Sequence, residues 1–314
     1  MTESADLTDL LNTVMPWQLR GRSFLWGQRT YLMGVLNVTP DSFSDGGQFD
    51  RPETALAQAH ALAQAGADIL DIGGQSTRPQ AIEISLEEEL DRVIPVIHQV
   101  RQELDLPISV DTTRAIVARA AIQAGADLVN DVSGGMGDPE MFATVADLRV
   151  PIVLMHLRGT PQTMQQLTTY ADLMGEIGAF LGERIAAAVA VGIDRAQIMI
   201  DPGIGFAKTY DQNLQILRQL PDLRSLGCPI LVGASRKSFI GHILNQPNPR
   251  KRVWGTAAAC CAAIAGGADV VRVHDAREMQ EVCRVADAIW RPLDPEESVE
   301  SACPSGPLTQ PNPD

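Results

Sequence analysis

Positive charge is scarce in this sequence. Against 39 Asp and Glu stand only 25 Lys and Arg in 314 residues, a net charge of −14. Phosphate backbones are held by basic patches, so non-specific nucleic-acid binding is excluded. Long apolar runs are missing too: no stretch approaches the ~18 consecutive apolar residues of a membrane span. The N-terminus lacks the basic-then-apolar layout of a secretory leader, and together these absences predict a cytoplasmic protein with no membrane partner. Cysteine is sparse, with five residues and no ligand spacing. Cys260 and Cys261 adjoin in an Ala-rich stretch while Cys228, Cys283 and Cys303 are scattered, so all read as reduced thiols rather than disulfides or zinc ligands. No Gly-x-Gly-x-x-Gly follows a first strand, which counts against a doubly wound open sheet, the competing architecture.

What the chain does have is a row of eight short apolar runs: Tyr31–Leu36, Asp68–Ile72, Ile108–Val110, Leu128–Val129, Ile152–Met155, Ile198–Ile200, Ile230–Gly233 and Val270–Val273. Ala-rich stretches of helical length separate most of them. Continuous Val, Ile, Leu and Met without polar alternation fits strands buried on both faces, as in a parallel sheet. Strands alternating with helices argue a βα architecture. The repeating part, 31–290, is close to the ~250 residues of an eight-fold (β/α) barrel. One TIM-type (β/α)8 barrel domain over 16–291 is the predicted fold, with poorly ordered segments at 1–15 and 292–314, the latter rich in Pro, Glu, Ser and Asn. A partial repeat supports the count. Gly66-Ala67-Asp68, Gly125-Ala126-Asp127 and Gly267-Ala268-Asp269 each precede an apolar run, where a glycine past a helix end takes the left-handed conformation. Val191-Gly192-Ile193-Asp194 is a looser copy.

Nearly every run ends on a polar residue: Asn37, Asp71, Asp111, Asn130, His156, Asp201, Ser235, and Arg272 with His274. A barrel gathers strand ends at one mouth. Arg78, Arg158, Lys208, Arg236, Lys237, Arg272 and His274 all follow strands, so a cationic mouth on an acidic body implies a small anionic ligand, with phosphate or diphosphate the first candidate. The amide oxygen of Asn37 can coordinate Mg²⁺ beside a diphosphate, and the loop from Asn37 to Gly47 can close as a lid, although its Pro-Asp-Ser and Asp-Gly-Gly segments are also ordinary turns. Asp71 and Arg78 alternatively make a structural ion pair. Thr112 and Thr113 suit helix caps, which places Asp111 inside the mouth. Asp201 opens a Gly-rich segment through Lys208, a weak anion-cradle signal by itself. Ser235-Arg236-Lys237-Ser238 opens a helix, where N–H groups and two cations can meet one anion. Arg272 and His274, at i and i+2, point the same way.

These segments, in this order, resemble the dihydropteroate synthase family, the folate-pathway enzymes that sulfonamides target. The resemblance runs from about Tyr31 to Ile289 and rests on Asn37 through Gly47, Gly73 through Pro79, Asp201 through Phe206, and Ser235 through Ser238. It implies condensation of 6-hydroxymethyl-7,8-dihydropterin diphosphate with p-aminobenzoate, releasing diphosphate and giving 7,8-dihydropteroate. It makes Asn37 the Mg²⁺ ligand and Asp111, Asn130, Met155, Asp201, Gly205 and Lys237 the pterin site. Asn37, Ser235, Arg236, Arg272 and His274 hold the diphosphate. Pro40, Asp41, Ser42, Phe43, Thr77, Arg78, Pro79, Phe206 and Ser238 line the p-aminobenzoate site and its loops. Asp111, Asp201, Lys237, Arg272 and His274 carry the catalysis, and a homodimer through helices away from the mouth is implied. The chain departs from the family pattern at Gln75, where glutamate is often seen, at Ala207 in place of a glycine, and at Gln80 in place of another. Two other readings are a methyltetrahydrofolate-binding corrinoid methyltransferase barrel, which needs no diphosphate site, and a noncatalytic pterin-binding paralogue, which would be expected to lose loop residues. Ser235-Arg236-Lys237, Arg272 and His274 argue against the first, and the presence of Asp41, Ser42, Thr77 and Arg78 argues against the second.

Overall fold

The structure is a computed structural model that describes residues 14–39, 51–78 and 81–291, with the side chains of residues 51 and 52 left aside. The expectations for 1–13 and for 292–314 lie outside the described residues. A short antiparallel hairpin comes first, β1 (Trp17–Leu19) and β2 (Arg22–Phe24), followed by eight strands in one parallel sheet. These are β3 (Tyr31–Asn37), β4 (Ile69–Gly73), β5 (Ile108–Asp111), β6 (Leu128–Asp131), β7 (Ile152–Met155), β8 (Ile198–Asp201), β9 (Leu231–Val232) and β10 (Val270–Val273). The helices are α1 (Arg51–Gln64), α2 (Leu86–Glu103), α3 (Ala115–Ala124), α4 (Met141–Leu148), α5 (Leu173–Ala190), α6 (Tyr210–Arg218), α7 (Ser238–Ile243), α8 (Val253–Ala265) and α9 (Ala276–Trp290).

Sheet order runs β8-β7-β6-β5-β4-β3-β10-β9, and a parallel bridge between Ile200 and Ile230 closes the ring. The expected (β/α)8 barrel is therefore the observed fold. Strand β9 is shorter than the run Ile230–Gly233 suggested, so its junction with β8 is the thinnest part of the wall.

The repeat has a structural purpose at the strand entrances. Gly66, Gly125 and Gly267 have φ of +89°, +117° and +91°, and the aspartate two residues later turns onto the neighbouring strand. Asp68 accepts the Leu32 N–H at 2.8 Å, Asp127 the Ile108 N–H at 2.8 Å, and Asp269 the Ile230 N–H at 3.0 Å. Each aspartate's own N–H donates back to the carbonyl of that same residue, at 2.7–2.8 Å. Backbone groups at the strand entries are thus satisfied without water.

Alternation along each strand divides the barrel interior into two halves. Met33, Ile69, Leu128, Val153, Met199, Leu231 and Val270 face inward in the entry half and pack with the hairpin residues Trp17, Leu19, Phe24 and Trp26. Trp17 stands edge-on to Trp26 at 5.2 Å, and its Nε1–H donates to Ala196 O at 2.7 Å. The outward residues Leu32, Leu70, Ile72, Val110, Val129, Leu154, Ile200 and Val271 belong to the main core beneath the helices. One step further along, the inward positions turn polar.

Candidate active site

The inward side chain two residues beyond Ile69 is Asp71, beyond Leu128 is Asn130, beyond Met199 is Asp201, and beyond Val270 is Arg272. Strand period two sets all four on one level of the barrel. Arg272 is the hub of that level. Its Nε–H donates to Asp71 Oδ2 at 2.6 Å and its Nη2 to Asp111 Oδ2 at 2.8 Å. Asn130 Nδ2 reaches both oxygens of Asp71 at 3.3–3.4 Å. Asp71 is fully buried, while Asp111, Asn130 and Asp201 are only 6%, 3% and 6% exposed. The alternative ion pair between Asp71 and Arg78 is not formed, because Asp71 faces the barrel axis and Arg272 rises from the adjoining wall to meet it.

Burial dominates the electrostatics here. It pushes the Asp111 carboxyl up to about 7, with Arg272 opposing and Asp71 adding to the rise. Asp201 is pushed up to about 6 by burial, against the Gly203 N–H that it accepts at 2.7 Å and the charge of Lys237. The same desolvation lowers Lys237 to about 8, helped by Arg272 and opposed by Asp201 and Asp111. For Arg272 burial acts downward, but the Asp71 and Asp111 carboxylates outweigh it and its pKa is raised. Two carboxylates and a lysine are thus held near neutrality, the condition in which a charged ligand changes their protonation most readily.

The segment after β8 builds one wall. Gly203 and Gly205 have φ of +72° and +82°; a side chain at Gly203 would collide with the His156 carbonyl, and a Cβ at Gly205 would lie 3.0 Å from Lys237 Cδ. Lys237 Nζ sits 4.1 Å from the Phe206 ring centroid, a cation–π contact. Met155, Phe206, Val132 and Met164 form a small apolar cluster apart from the main core. Ala207, which departs from the family's glycine, holds the left-handed φ of +51° that a glycine would take without strain. Lys208 turns inward, not toward a ligand: its Nζ contacts His156 Nδ1 at 2.9 Å and donates to Phe206 O at 2.9 Å.

At the β9 and β10 ends, the His274 N–H donates to Ser235 Oγ at 3.2 Å, and the same hydroxyl lies 3.0 Å from His274 Nδ1. A hydroxyl that accepts the backbone N–H and donates to Nδ1 leaves Nε2 as the protonated nitrogen. Burial and then Arg236 and Arg272 lower His274 to about 3, so its imidazole is neutral. Arg236 is turned away to a bidentate pair with Asp275. Of the seven mouth cations expected, Arg158 (paired with Glu176), Lys208 and Arg236 are therefore engaged in the protein's own bonds. Arg272 gives two of its donors to Asp71 and Asp111 and keeps the rest, and Arg78 and Lys237 remain at the opening with the neutral His274.

Asn37 stands at the end of β3 in register with Gly73 of β4, which in turn pairs with Asp111 of β5. Thr77 is half-buried and Arg78 exposed, in the loop after β4. Ser238 is exposed at the start of α7. Pro40, Asp41, Ser42, Phe43, Pro79 and Gln80 lie outside the described residues. The threonine caps are replaced by a different device. Thr112 Oγ1 donates to buried Glu89 at 2.7 Å and accepts the Arg114 N–H at 3.2 Å, while Asp138 accepts the Ala115 N–H at 2.8 Å. Sequence reasoning missed Glu89, which also takes Arg114 at 2.9 Å, and the anchors of the loop after β4; no local pattern marks either.

Residues 33–274 match the family described as pterin binding enzymes. The dihydropteroate synthase of Synechocystis sp. is 62% identical over 268 residues, covering 85% of this chain and 93% of that protein. The Bacillus subtilis dihydropteroate synthase is 47% identical over 262 residues, with 83% and 89% covered. Among solved structures, a Xanthomonas albilineans dihydropteroate synthase with 4-aminobenzoic acid superposes with a TM-score of 0.82 at 45% identity, over 87% of this chain and 97% of that one. Another structure of that organism's enzyme, in complex with 7,8-dihydropteroate, gives 0.79 at 43%, over 88% and 98%. With a polar barrel mouth of this composition and relatives at this identity over most of its length, the chain belongs to the dihydropteroate synthases of the pterin binding enzyme family.

Proposed function

We propose that the polar half of this barrel joins 6-hydroxymethyl-7,8-dihydropterin diphosphate to p-aminobenzoate, giving 7,8-dihydropteroate and diphosphate in folate biosynthesis. The observation that carries this reading is the convergence of Asp111, Asn130, Asp201 and Lys237 on the polar level of the barrel around Asp71 and Arg272. A pterin edge offers donors on its amino group and ring nitrogens and an acceptor at its oxo group. Asp and Asn accept from the donors, Lys237 donates to the acceptor, and each charge-assisted bond contributes about 1.5–3 kcal/mol. Met155, Phe206 and Gly205 supply the apolar and close-approach surfaces for the ring.

The chemistry suits charge separation. The C–O bond to the diphosphate breaks, the electron pair leaves with the diphosphate, and a cation delocalises into the dihydropterin. Asp111 and Asp201, ionised as positive charge develops beside them, stabilise it. Arg272 uses two of its five N–H donors on Asp71 and Asp111, so Asp71 acts as the support that aims the guanidinium and the remaining donors serve the leaving group. Neutral His274, with Nε2–H directed by Ser235, donates to the same oxygens, while Arg236 stays on Asp275. Thr77, Arg78, Phe206 and Ser238, with Pro40, Asp41, Ser42, Phe43 and Pro79, hold p-aminobenzoate. Its amine attacks the exposed carbon and then gives up one proton to the released diphosphate or to solvent, and the loops exclude competing water during the attack.

Among the described residues no group of three or more His, Cys, Asp or Glu is placed to hold a metal ion. The single hard oxygen of Asn37 fits Mg²⁺, which binds through few protein ligands when substrate phosphates and waters complete its shell. When bound, Mg²⁺ supplies positive charge to the departing diphosphate. A homodimer is supported by the apolar groove between α6, α7 and α8, lined by Leu217, Phe239, Ile243 and Leu244, with Trp254 76% exposed beside it. No described helix is long and apolar enough to cross a membrane, in keeping with action in the cytoplasm. The test is diphosphate release by purified protein with Mg²⁺ and the pterin diphosphate, with and without p-aminobenzoate, alongside detection of dihydropteroate. Pterin binding without diphosphate release in the presence of both substrates would sink the reading.

A further inference from the structure

The loop after β4 is closed at its stem by one side-chain amide. Gln75 Nε2 donates to Ile82 O at 3.0 Å and to Ser76 O at 3.0 Å, and Gln75 Oε1 accepts the Ile84 N–H at 2.9 Å. The far limb is anchored independently. Arg114 Nη2 donates to Ile84 O at 2.7 Å and pairs with Glu83 at 2.9 Å, and Gln162, from the segment after β7, donates to Ala81 O at 2.7 Å. The near end is fixed by Arg92 Nη1 on Gly74 O at 2.9 Å. Between these anchors stand Thr77 and Arg78. The Arg78 guanidinium is exposed and makes no hydrogen bond or ion pair among the described residues. Its placement therefore depends on the backbone that carries it.

We infer that Gln75 is a positioning residue for the acidic amine substrate, clasping the loop stem so that Thr77 and Arg78 stand ready at the mouth. The inference rests on the function proposed above. The amide suits this stem: the far limb presents a carbonyl at Ile82 and an N–H at Ile84, and one side-chain terminus donates to the first and accepts from the second. Alanine removes both bonds. The loop is long enough that, unclasped, its conformers multiply and the bound arrangement must be selected from them, which weakens binding by the fraction of competent conformers.

The experiment compares wild type and Gln75→Ala by steady-state kinetics and by hydrogen exchange of the Ile84 amide. For Gln75→Ala, KM for p-aminobenzoate rises about three- to tenfold, the range expected from one or two neutral hydrogen bonds, while kcat and KM for the pterin diphosphate hold, and the Ile84 amide exchanges faster. Faster Ile84 exchange with an unchanged KM for p-aminobenzoate would overturn the positioning role, and so would equal rises in both KM values, which mark general damage. A wild type that makes no dihydropteroate would instead strike at the proposed function, with the exchange measurement still reporting on the clasp.

Discussion

Asp111→Asn sets stability against chemistry at one carboxyl. Asparagine keeps the shape and an acceptor oxygen for Arg272, and removes only the charge. Burial is the main reason that the Asp111 carboxyl titrates at about 7 in the folded protein, against ~3.9 for an exposed aspartate. Between those values the folded state retains a proton that the unfolded chain has released, so the contribution of this group falls as pH rises. At about 1.36 kcal/mol for each factor of ten, the cost is on the order of 4 kcal/mol above pH 7 and roughly 1–2 kcal/mol at pH 5. Asparagine carries no such cost. The stability of Asp111→Asn relative to wild type is therefore expected to increase by about 3 kcal/mol between pH 5 and pH 8. Groups common to both proteins cancel in the difference. Urea unfolding at the two pH values, with m checked for constancy, reads the effect directly. Turnover should move the other way, falling by about 10²–10³, as for loss of one electrostatic stabiliser. A relative stability that is flat or declines with pH would refute the reasoning, since it would mean that the Arg272 pair outweighs burial.

Three further outcomes follow from the geometry. Arg78→Ala raises KM for p-aminobenzoate by about tenfold or more, the worth of a charge-assisted bond, and leaves the KM for the pterin diphosphate in place; an unchanged KM for p-aminobenzoate removes Arg78 from that site. Trp17→Ala deletes the bond to Ala196 and the edge contact with Trp26, and is expected to lower unfolding free energy by about 3–5 kcal/mol with kcat retained; a kcat loss in the folded variant contradicts the separation of the two barrel halves. Chelation by EDTA suppresses diphosphate release, and added Mg²⁺ restores it; turnover insensitive to EDTA would exclude the Asn37 assignment.

The barrel was legible because burial on both faces leaves strands as unbroken apolar runs, and because Gly66, Gly125 and Gly267 mark the helix-to-strand turns at a regular place. The polar ends were legible for the same reason: Asp71, Asn130, Asp201 and Arg272 interrupt apolar runs where a buried strand has no other use for them. Three kinds of feature were not. The hairpin Trp17–Phe24 is too short to display a period, although Trp17, Leu19 and Phe24 are its buried residues and Arg20-Gly21 its left-handed turn. Which cation meets which carboxylate depends on the closure of the ring, so a sequence-adjacent partner such as Arg78 was considered for Asp71 when the true one lies 201 positions away. The Gln75 clasp and the turn of Arg236 onto Asp275 are set by loop geometry, and residue type alone does not announce them.

The two halves of the barrel interior depend on each other. A carboxyl at about 7 and another at about 6 exist only where water is kept out, and the mouth must stay open to substrate, so exclusion has to come from below. The layer of Met33, Ile69, Leu128, Met199, Leu231 and Val270 supplies it, and the hairpin aromatics close the layer from the other side. That is why the apolar residue and the polar one alternate two positions apart on the same strand: Ile69 with Asp71, Leu128 with Asn130, Met199 with Asp201, Val270 with Arg272. Each strand carries its own piece of floor beneath its own functional group. The desolvation that destabilises these carboxylates is the same desolvation that makes a developing cation beside them worth several kcal/mol more than it would be in water. A floor residue and the group above it therefore act as one unit, and polar substitution at Met199 should bring the raised pKa of Asp201 back down before it disturbs the barrel itself.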